Sequence, residues 1–253
     1  MAQTEPDHST KTVWTTRLTL WSFRLTLFSL AVPAVGLTLA RFDVIAKLAG
    51  FSALLGGGLI SALALIFGIL GLVAGRKATN PAWGRGIASV AISFAYVGFL
   101  ATRPLVAGDA PAIHDITTDL VNPPQFEVLP LRSDNLAGVD TMENWRKIHA
   151  EAYGDLTAIT LSKPVAEATA DVVRLARQSG WQIASSDPAR GRVEATASVS
   201  YIRFKDDVVI RIVPVEDGRH SRIDMRSVSR VGVSDLGVNA RRIRDFLEAL
   251  AAE

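Results

Sequence analysis

Three long stretches without charged side chains constrain this chain more than any other feature. They run from Leu25 to Ala40, from Leu48 to Gly75 and from Gly86 to Thr102. A helix needs about 20 apolar residues to cross the hydrocarbon core, where its backbone groups bond to one another rather than to water. The sequence therefore predicts a membrane anchor over residues 1–103, in which about three helices contact the lipid bilayer. They are expected near residues 21–40, 49–75 and 86–102.

The first and third stretches leave alternatives open. Arg17 and Arg24 precede an apolar run that ends in "LTLA", which is also the pattern of a cleaved signal peptide. The run is long for a signal peptide and another span follows shortly, so a retained helix is favoured. The third stretch is the shortest, and the orientation of everything after it reverses if it does not cross the membrane.

Charged residues beside the spans indicate an orientation. With three spans, the amino-terminal segment and the second loop lie on one side of the membrane. That side carries Lys11, Arg17, Arg24, Arg76, Lys77 and Arg85. The other side's flanks carry Arg41, Lys47 and Arg103, with Asp43 offsetting one of them. Basic flanks stay cytoplasmic. We therefore expect an integral inner (cytoplasmic) membrane protein whose carboxy-terminal domain is exported, on the periplasmic side of a cell envelope.

Composition changes after the anchor and excludes several classes of function. Through Arg103 the chain has nine Lys and Arg against three Asp and Glu, and after it eighteen against twenty-two. The mildly acidic second part argues against nucleic acid as a partner. The chain has no cysteine. Disulfides, cysteine-ligated metals and thiol nucleophiles are therefore excluded.

Residues 104–126 are predicted to be a proline-rich linker. They contain four prolines and no sustained periodicity, and proline favours extended backbone in its neighbourhood. His114, Asp115 and Asp119 are metal ligands by type, but no second histidine stands at ligand spacing. Solvated side chains are the favoured interpretation, and no metal or cofactor is predicted.

Residues 127–253 are predicted to form a soluble α+β domain. Asp140 and Glu143 resemble a capping box that begins a helix ending at Tyr153, and a second helix runs from Pro164 to Gly180. A short strand over residues 158–162 and four later segments with a period of two predict a mainly antiparallel sheet. The expected order is roughly βαββββα, with the helices packed on one face.

One predicted hairpin sets the register of the sheet. "KDD", Lys205 to Asp207, is a turn candidate. If Phe204 pairs with Asp207 around a two-residue loop, Val199 faces Ile212. The same register leaves hydroxyls, carboxylates and arginines on the face away from the helices.

Three segments resemble the domain of unknown function 1499 family. They are "DITTDLVNPPQF", "DPARGRVEATASVSYIRFKDDVVIRI" and "DMRSVSRVGVSDLGVNARRIRDFL". The resemblance covers most of residues 113–250 and implies a shared fold and a membrane or envelope setting. It implies no activity and no set of functional residues, and the three spans are an addition to it.

A candidate anion site lies on the predicted polar face and at the start of the last helix. Exposed backbone N–H groups at a helix start, with arginines nearby, suit phosphate or carboxylate. The candidate residues are Arg211, Arg222, Arg226, Arg230, Ser234, Asp235 and Asn239. The competing interpretation is structural, because antiparallel sheets commonly expose a polar face and Asp235 can simply cap the helix.

Catalytic motifs are absent from the sequence. It has no GxSxG, HExxH, P-loop or dinucleotide pattern. We therefore expect a non-enzymatic envelope module that binds an anionic small molecule, a lipid headgroup or a partner protein. The alternative is an envelope hydrolase acting on an ester or phosphoester.

Overall fold

The computed structural model describes residues 8–76, 82–103 and 110–252, which fall into two compact units. The first unit contains the helices α1 (His8–Arg41), α2 (Lys47–Ala74) and α3 (Trp83–Ala101). All three are long and apolar enough to cross a membrane. They occur where the sequence predicts spans, and membrane anchoring is consistent with them.

Small residues bring the three helices close together. A Cβ atom on Gly57 would lie 2.6 Å from the carbonyl oxygen of Ser29, and one on Gly71 would lie 2.7 Å from Thr19 Oγ1. Ser22 donates a hydrogen bond to the carbonyl oxygen of Ala64 at 2.7 Å. Close backbone approach and interhelical hydroxyl bonds replace the hydrophobic effect, which does not drive helix association in lipid.

The second unit is an α+β domain, as predicted. Its helices are α4 (Met142–Tyr153), α5 (Val165–Gln178) and α6 (Val238–Ala251). Its strands are β1 (Asp115–Thr117), β2 (Ile159–Leu161), β3 (Gln182–Asp187), β4 (Arg192–Val199), β5 (Phe204–Val215) and β6 (His220–Ser229). Thr141 Oγ1 accepts the amide of Asn144 at the start of α4, so this helix begins one residue after Thr141 rather than at Asp140.

All strand pairs are antiparallel. The sheet has the order β1-β6-β5-β4-β3, and β2 also pairs with β6. One face packs against the helices to form the core, in which Ile210, Ile223, Met225 and Ile243 are at most 1% exposed. Alternation along the strands supplies these side chains, because successive residues point to opposite faces.

The hairpin between β4 and β5 differs from the prediction. Val199 pairs with Phe204, and Ser198 with Lys205. "KDD" therefore lies within β5, and the turn is Ser200–Arg203, whose first and last residues have φ of +63° and +56°. Val199 does not face Ile212. The turn prediction was wrong because both acidic residues pair with β4 and their carboxylates bond to arginines. Asp207 bonds to Arg230, and Asp206 bonds to Arg242 on α6.

Part of the predicted linker is an edge of the sheet. Asp115–Thr117 pairs with β6 as β1. Ile113 is 2% exposed and Ile116 is fully buried. His114 and Asp115 are buried as well, so they are not the solvated side chains that the sequence suggested. The sequence did not predict this strand because prolines occur on both sides of it. Its three residues are also too few to show an alternation of apolar and polar side chains.

Candidate functional site

A segment without regular structure covers the second face of the sheet. This covering segment, residues 118–132, contacts β4, β5 and β6. Glu194 on β4 is fully buried and accepts the backbone N–H groups of Glu127, Val128 and Leu129 at 2.7, 3.1 and 2.8 Å. The face predicted to be an open polar surface is therefore largely enclosed, and Thr196, Asp224 and Arg226 on it are at most 8% exposed.

Arg211 and Arg222 form one network beneath the covering segment. Arg211 Nη2 lies 2.9 Å from Asp119 and 3.1 Å from Asp224, and Arg222 Nη2 lies 3.1 Å from Asp224. Burial alone would raise the pKa of Asp119, but the amide of Asn122 and the Arg211 guanidinium together lower it. These two arginines therefore neutralise carboxylates of the domain itself.

Arg226 is the most enclosed of the predicted arginines. Its side chain is 5% exposed, and its Nε and Nη2 donate to the two carboxylate oxygens of Asp115 at 2.9 and 2.7 Å. Its Nη1 donates to the carbonyl oxygen of Pro124 at 3.2 Å. Asn135 Nδ2 also donates to Asp115. A bidentate pair of this kind fixes the position of both charges. Here it joins β1 to β6, and the separate Nη1 contact with Pro124 attaches the covering segment to β6.

Arg230 occupies a separate place at the end of β6. It donates to both oxygens of Asp207 at 2.8 Å, and the same carboxylate accepts the hydroxyl of Thr196. The hydrogen bond and the charge of Asp207 raise the pKa of Arg230. Its side chain is 45% exposed, so one side of the guanidinium faces solvent.

Ser234, Asp235 and Asn239 serve the start of α6. Asp235 accepts the amides of Gly237 and Asn239 at 2.9 and 2.6 Å, which is helix capping. Burial raises the pKa of Asp235, although both amides lower it in part. Ser234 Oγ accepts the amide of Leu236 at 3.2 Å. Asn239 is fully buried and bonds to Ser227, Ser229 and the carbonyl oxygen of His114. The exposed N–H groups needed for an anion site are already occupied.

The seven predicted residues thus lie in four networks rather than one. Arg226 alone among them lines a groove of about 770 Å³ between the covering segment and the loop before α4. The rim carries apolar side chains that are unusually open: Val121 is 89% exposed, and Leu131 and Met142 are 41% exposed. A volume of this size suits a small molecule.

Polar groups at the groove provide a charge and a hydrogen-bond acceptor. Arg146 Nε donates to the carbonyl oxygen of Leu120, and no carboxylate in the described part of the chain pairs with this arginine. Arg132, by contrast, is paired with Asp134, and that contact lowers the pKa of Asp134 to about 2. Asn135 Oδ1 is buried and has no partner among the described residues. Buried acceptors are almost always satisfied, so we expect a donor from a water molecule or a ligand at this atom.

Sequence reasoning missed this groove. Arg146 lies on an ordinary amphipathic helix, and Asn135 lies in a loop without a motif. The pattern "LRSDNLAG" predicts only a turn-rich loop, because the buried position of Asn135 depends on Asp115, twenty residues earlier. No local signal distinguishes these residues from solvated ones.

Catalytic geometry is not found among the residues whose side chains are described. His149 Nε2 accepts the amide of Thr117, His114 Nδ1 lies 3.4 Å from the carbonyl oxygen of Val233, and His220 contacts Glu216. None of these three rings bonds to a serine or threonine hydroxyl. Within residues 8–76, 82–103 and 110–252, no three His, Asp or Glu side chains are grouped to hold a metal ion.

Comparison with known families gives one match. A family model described as "Protein of unknown function (DUF1499)" matches residues 115–250. The match begins at β1 and ends within α6, so it covers the whole sheet, the covering segment and the groove. It does not include the three apolar helices. No curated protein matches the sequence.

Proposed function

The chain belongs to the DUF1499 family, and we propose that it is a membrane-anchored binding module whose groove takes a small anionic ligand. The observation that carries the proposal is that three features line the same groove. They are the Arg146 guanidinium, which has no carboxylate partner among the described residues, the exposed apolar rim, and the buried acceptor Asn135 Oδ1, which has no hydrogen-bond partner there. The ligand would have an apolar body, an anionic group and a hydrogen-bond donor.

Charge supports an anion at Arg146 and not on the sheet face, although the carboxylate of Asp140 also lines the groove. The contacts that enclose Arg211 and Arg226 satisfy these arginines with carboxylates. A ligand anion at either would have to displace a carboxylate from a buried position, which is costly. Arg146 requires no such displacement.

The proposed location of the groove is the exported side of the inner membrane. Three apolar helices and the excess of Lys and Arg on the amino-terminal side support this orientation. Reporter fusions after Glu253 and within residues 76–85 test it. We expect an exported carboxy terminus and a cytoplasmic second loop, and a cytoplasmic carboxy terminus would refute the orientation.

The ligand proposal can be tested on the full chain in nanodiscs. Because the chain has no cysteine, Ser133→Cys at the groove can carry an environment-sensitive fluorophore. We expect hexanoate, which has the apolar body and the anionic group without the donor, to change its fluorescence. Hexylamine, which has the same apolar chain with a positive charge, should not do so. Inorganic phosphate as a competitor distinguishes recognition of the anionic group from recognition of the apolar chain.

Two variants separate the groove from general surface charge. Arg146→Gln should weaken hexanoate binding by about tenfold or more, because a charge-assisted hydrogen bond contributes about 1.5–3 kcal/mol. Arg177→Gln removes an exposed arginine on α5, away from the groove, and should leave binding unchanged. Equal responses of the two variants, or no response to any of the three probes, would refute the proposal.

A further inference from the structure

Three loops meet at the end of the sheet where the chain arrives from the membrane anchor. Antiparallel pairing aligns Asp115 with Val228 and Asp206 with Ser229. The segment before β1, the turn 200–203 and the loop 230–237 therefore share one end of the sheet. Hydrogen bonds join them, since the amide of Arg230 donates to Lys205 O at 3.0 Å and that of Asp235 donates to Ile113 O at 3.3 Å. We call this the linker end.

Large apolar side chains are exposed at the linker end. Tyr201, Val233 and Leu236 are 55%, 50% and 57% exposed. The opposite end of the sheet has the turns 188–191 and 216–219, whose sequences "PARG" and "EDGR" contain no large apolar residue. The two ends of one sheet thus differ in the way expected if only one of them contacts an apolar phase.

The backbone of the loop holds one of these side chains in an unfavourable conformation. Leu236 has a φ of +55°, a region that favours glycine or asparagine. Its amide donates to Ser234 Oγ, and the next residue, Gly237, also has a positive φ. Strained backbone at an exposed leucine is unexplained by the packing of the domain, and strain of this kind is common at binding surfaces.

Covalent length restricts what can cover this end. Gly237 approaches residue 110, since a Cβ there would lie 3.5 Å from Ala110 Cβ. Ala110 follows Arg103 by seven residues, which span at most about 25 Å when fully extended. If α3 crosses a bilayer, the covalent connection keeps the linker end within reach of its surface. Tyrosine suits that interface, and so do the basic residues Arg203 and Lys205, for which the described chain provides no carboxylate partner.

We propose that the linker end rests on the lipid surface, with Val233 and Leu236 inserted at the boundary between headgroups and acyl chains. This contact is independent of the groove. It orients the domain on the membrane, so that a ligand would be taken up at a fixed height above the bilayer.

Quenching by lipids with bromine or spin labels in their acyl chains tests the contact in the full chain. Val233→Cys, labelled with a fluorophore, is compared in nanodiscs of phosphatidylcholine and phosphatidylglycerol with Ala189→Cys, which lies in an exposed turn at the opposite end. We expect several-fold stronger quenching at position 233. Equal quenching at both positions would overturn the proposal, including the case in which a second copy of the chain covers the linker end.

A second variant separates lipid contact from folding. Leu236→Asn removes the apolar side chain and suits the positive φ, so the domain should be at least as stable while the quenching at position 233 decreases. A loss of stability without a change in quenching would mean that Leu236 supports the domain and does not contact lipid.

Discussion

The two units of this protein bury polar groups of different kinds. The membrane unit buries hydroxyls, such as Thr26 and Ser89, which bond to one another across helices at 2.6 Å. The soluble unit buries ions, such as Asp115 with Arg226 and Asp206 with Arg242. A hydroxyl in an apolar environment needs one partner, whereas an ion needs a countercharge and hydrogen bonds to its remaining atoms. The difference indicates that removal of one group should cost far more in the soluble unit.

The largest effect is expected for Asp115→Asn. This change keeps the shape of the side chain but leaves the Arg226 guanidinium, 5% exposed, without its countercharge. We expect the sheet to lose about 3–5 kcal/mol of unfolding free energy. Hydrogen exchange of the β4–β6 amides in the full chain measures it.

Two controls sharpen this prediction. Asp134→Asn removes the partner of Arg132 at an exposed position and should cost far less, because solvent screens an ion pair at the surface. The double variant with Asp115→Asn and Arg226→Met should recover most of the loss, because no unpaired charge remains. A single variant no more destabilised than Asp134→Asn would contradict the importance of the buried pair.

A smaller effect is expected for Glu194→Gln. Both carboxylate oxygens accept backbone amides of the covering segment, and an amide side chain offers one acceptor in place of two. We expect a loss of about 1–3 kcal/mol, with faster hydrogen exchange at Glu127–Leu129. Glu127→Gln, at an exposed position, is the matched control, and equal exchange in the two variants would contradict the role of Glu194.

The fold could be predicted from sequence on one face of the sheet and not on the other. Alternation identifies Val193, Ile210 and Met225 as core residues because the helices that cover them are also periodic. Nothing periodic covers the second face. Glu194 bonds there to the backbone amides of residues 127–129. Because almost any residue supplies a backbone amide, the side chains in this segment do not predict the contact.

The candidate site shows the same restriction. The excess of arginine was visible in the sequence, but the acidic partners of Arg226 and Arg211 come from residues 115 and 119, about a hundred positions away. Only the three-dimensional structure shows which arginines have a carboxylate partner and which, like Arg146, have none among the described residues. The sequence therefore identified arginines, which suit an anion, but on the sheet face their guanidinium groups are already paired with carboxylates of the domain.

Acid should weaken the soluble unit through His149. Burial lowers the pKa of this ring, and the nearby Asp115 carboxylate offsets only part of the effect. The amide of Thr117 donates to its Nε2 at 3.1 Å, so the folded state holds the neutral form. The unfolded state takes up a proton near pH 6.5, and stability is therefore complete above that pH and falls as the pH decreases toward the folded pKa, by at most about 1.4 kcal/mol per pH unit.

Denaturant unfolding at several pH values measures this dependence. His149→Gln can still accept the amide of Thr117 and cannot be protonated, so it should flatten the curve between about pH 6.5 and the folded pKa. His220→Gln, at the first residue of β6, is the comparison variant. An unchanged slope in His149→Gln would assign the acid sensitivity to the carboxylates.

The smallest effect is expected in the membrane unit, for Thr26→Val. The hydroxyl of Thr26 bonds to Ser89 and Ser93 across the bundle and to the carbonyl oxygen of Ser22 in its own helix. Interhelical hydroxyl bonds in membrane proteins contribute about 0.6 kcal/mol on average, because separated helices still satisfy their hydroxyls internally. Unfolding in mixed micelles measures the loss, and Thr38→Val, whose hydroxyl bonds to Ala34 O within its own helix, is the control. A loss of about 3 kcal/mol or more would mean that the hydroxyl cluster stabilises the bundle as strongly as the buried ion pair stabilises the sheet. The two units would then differ in the type of buried residue and not in energy.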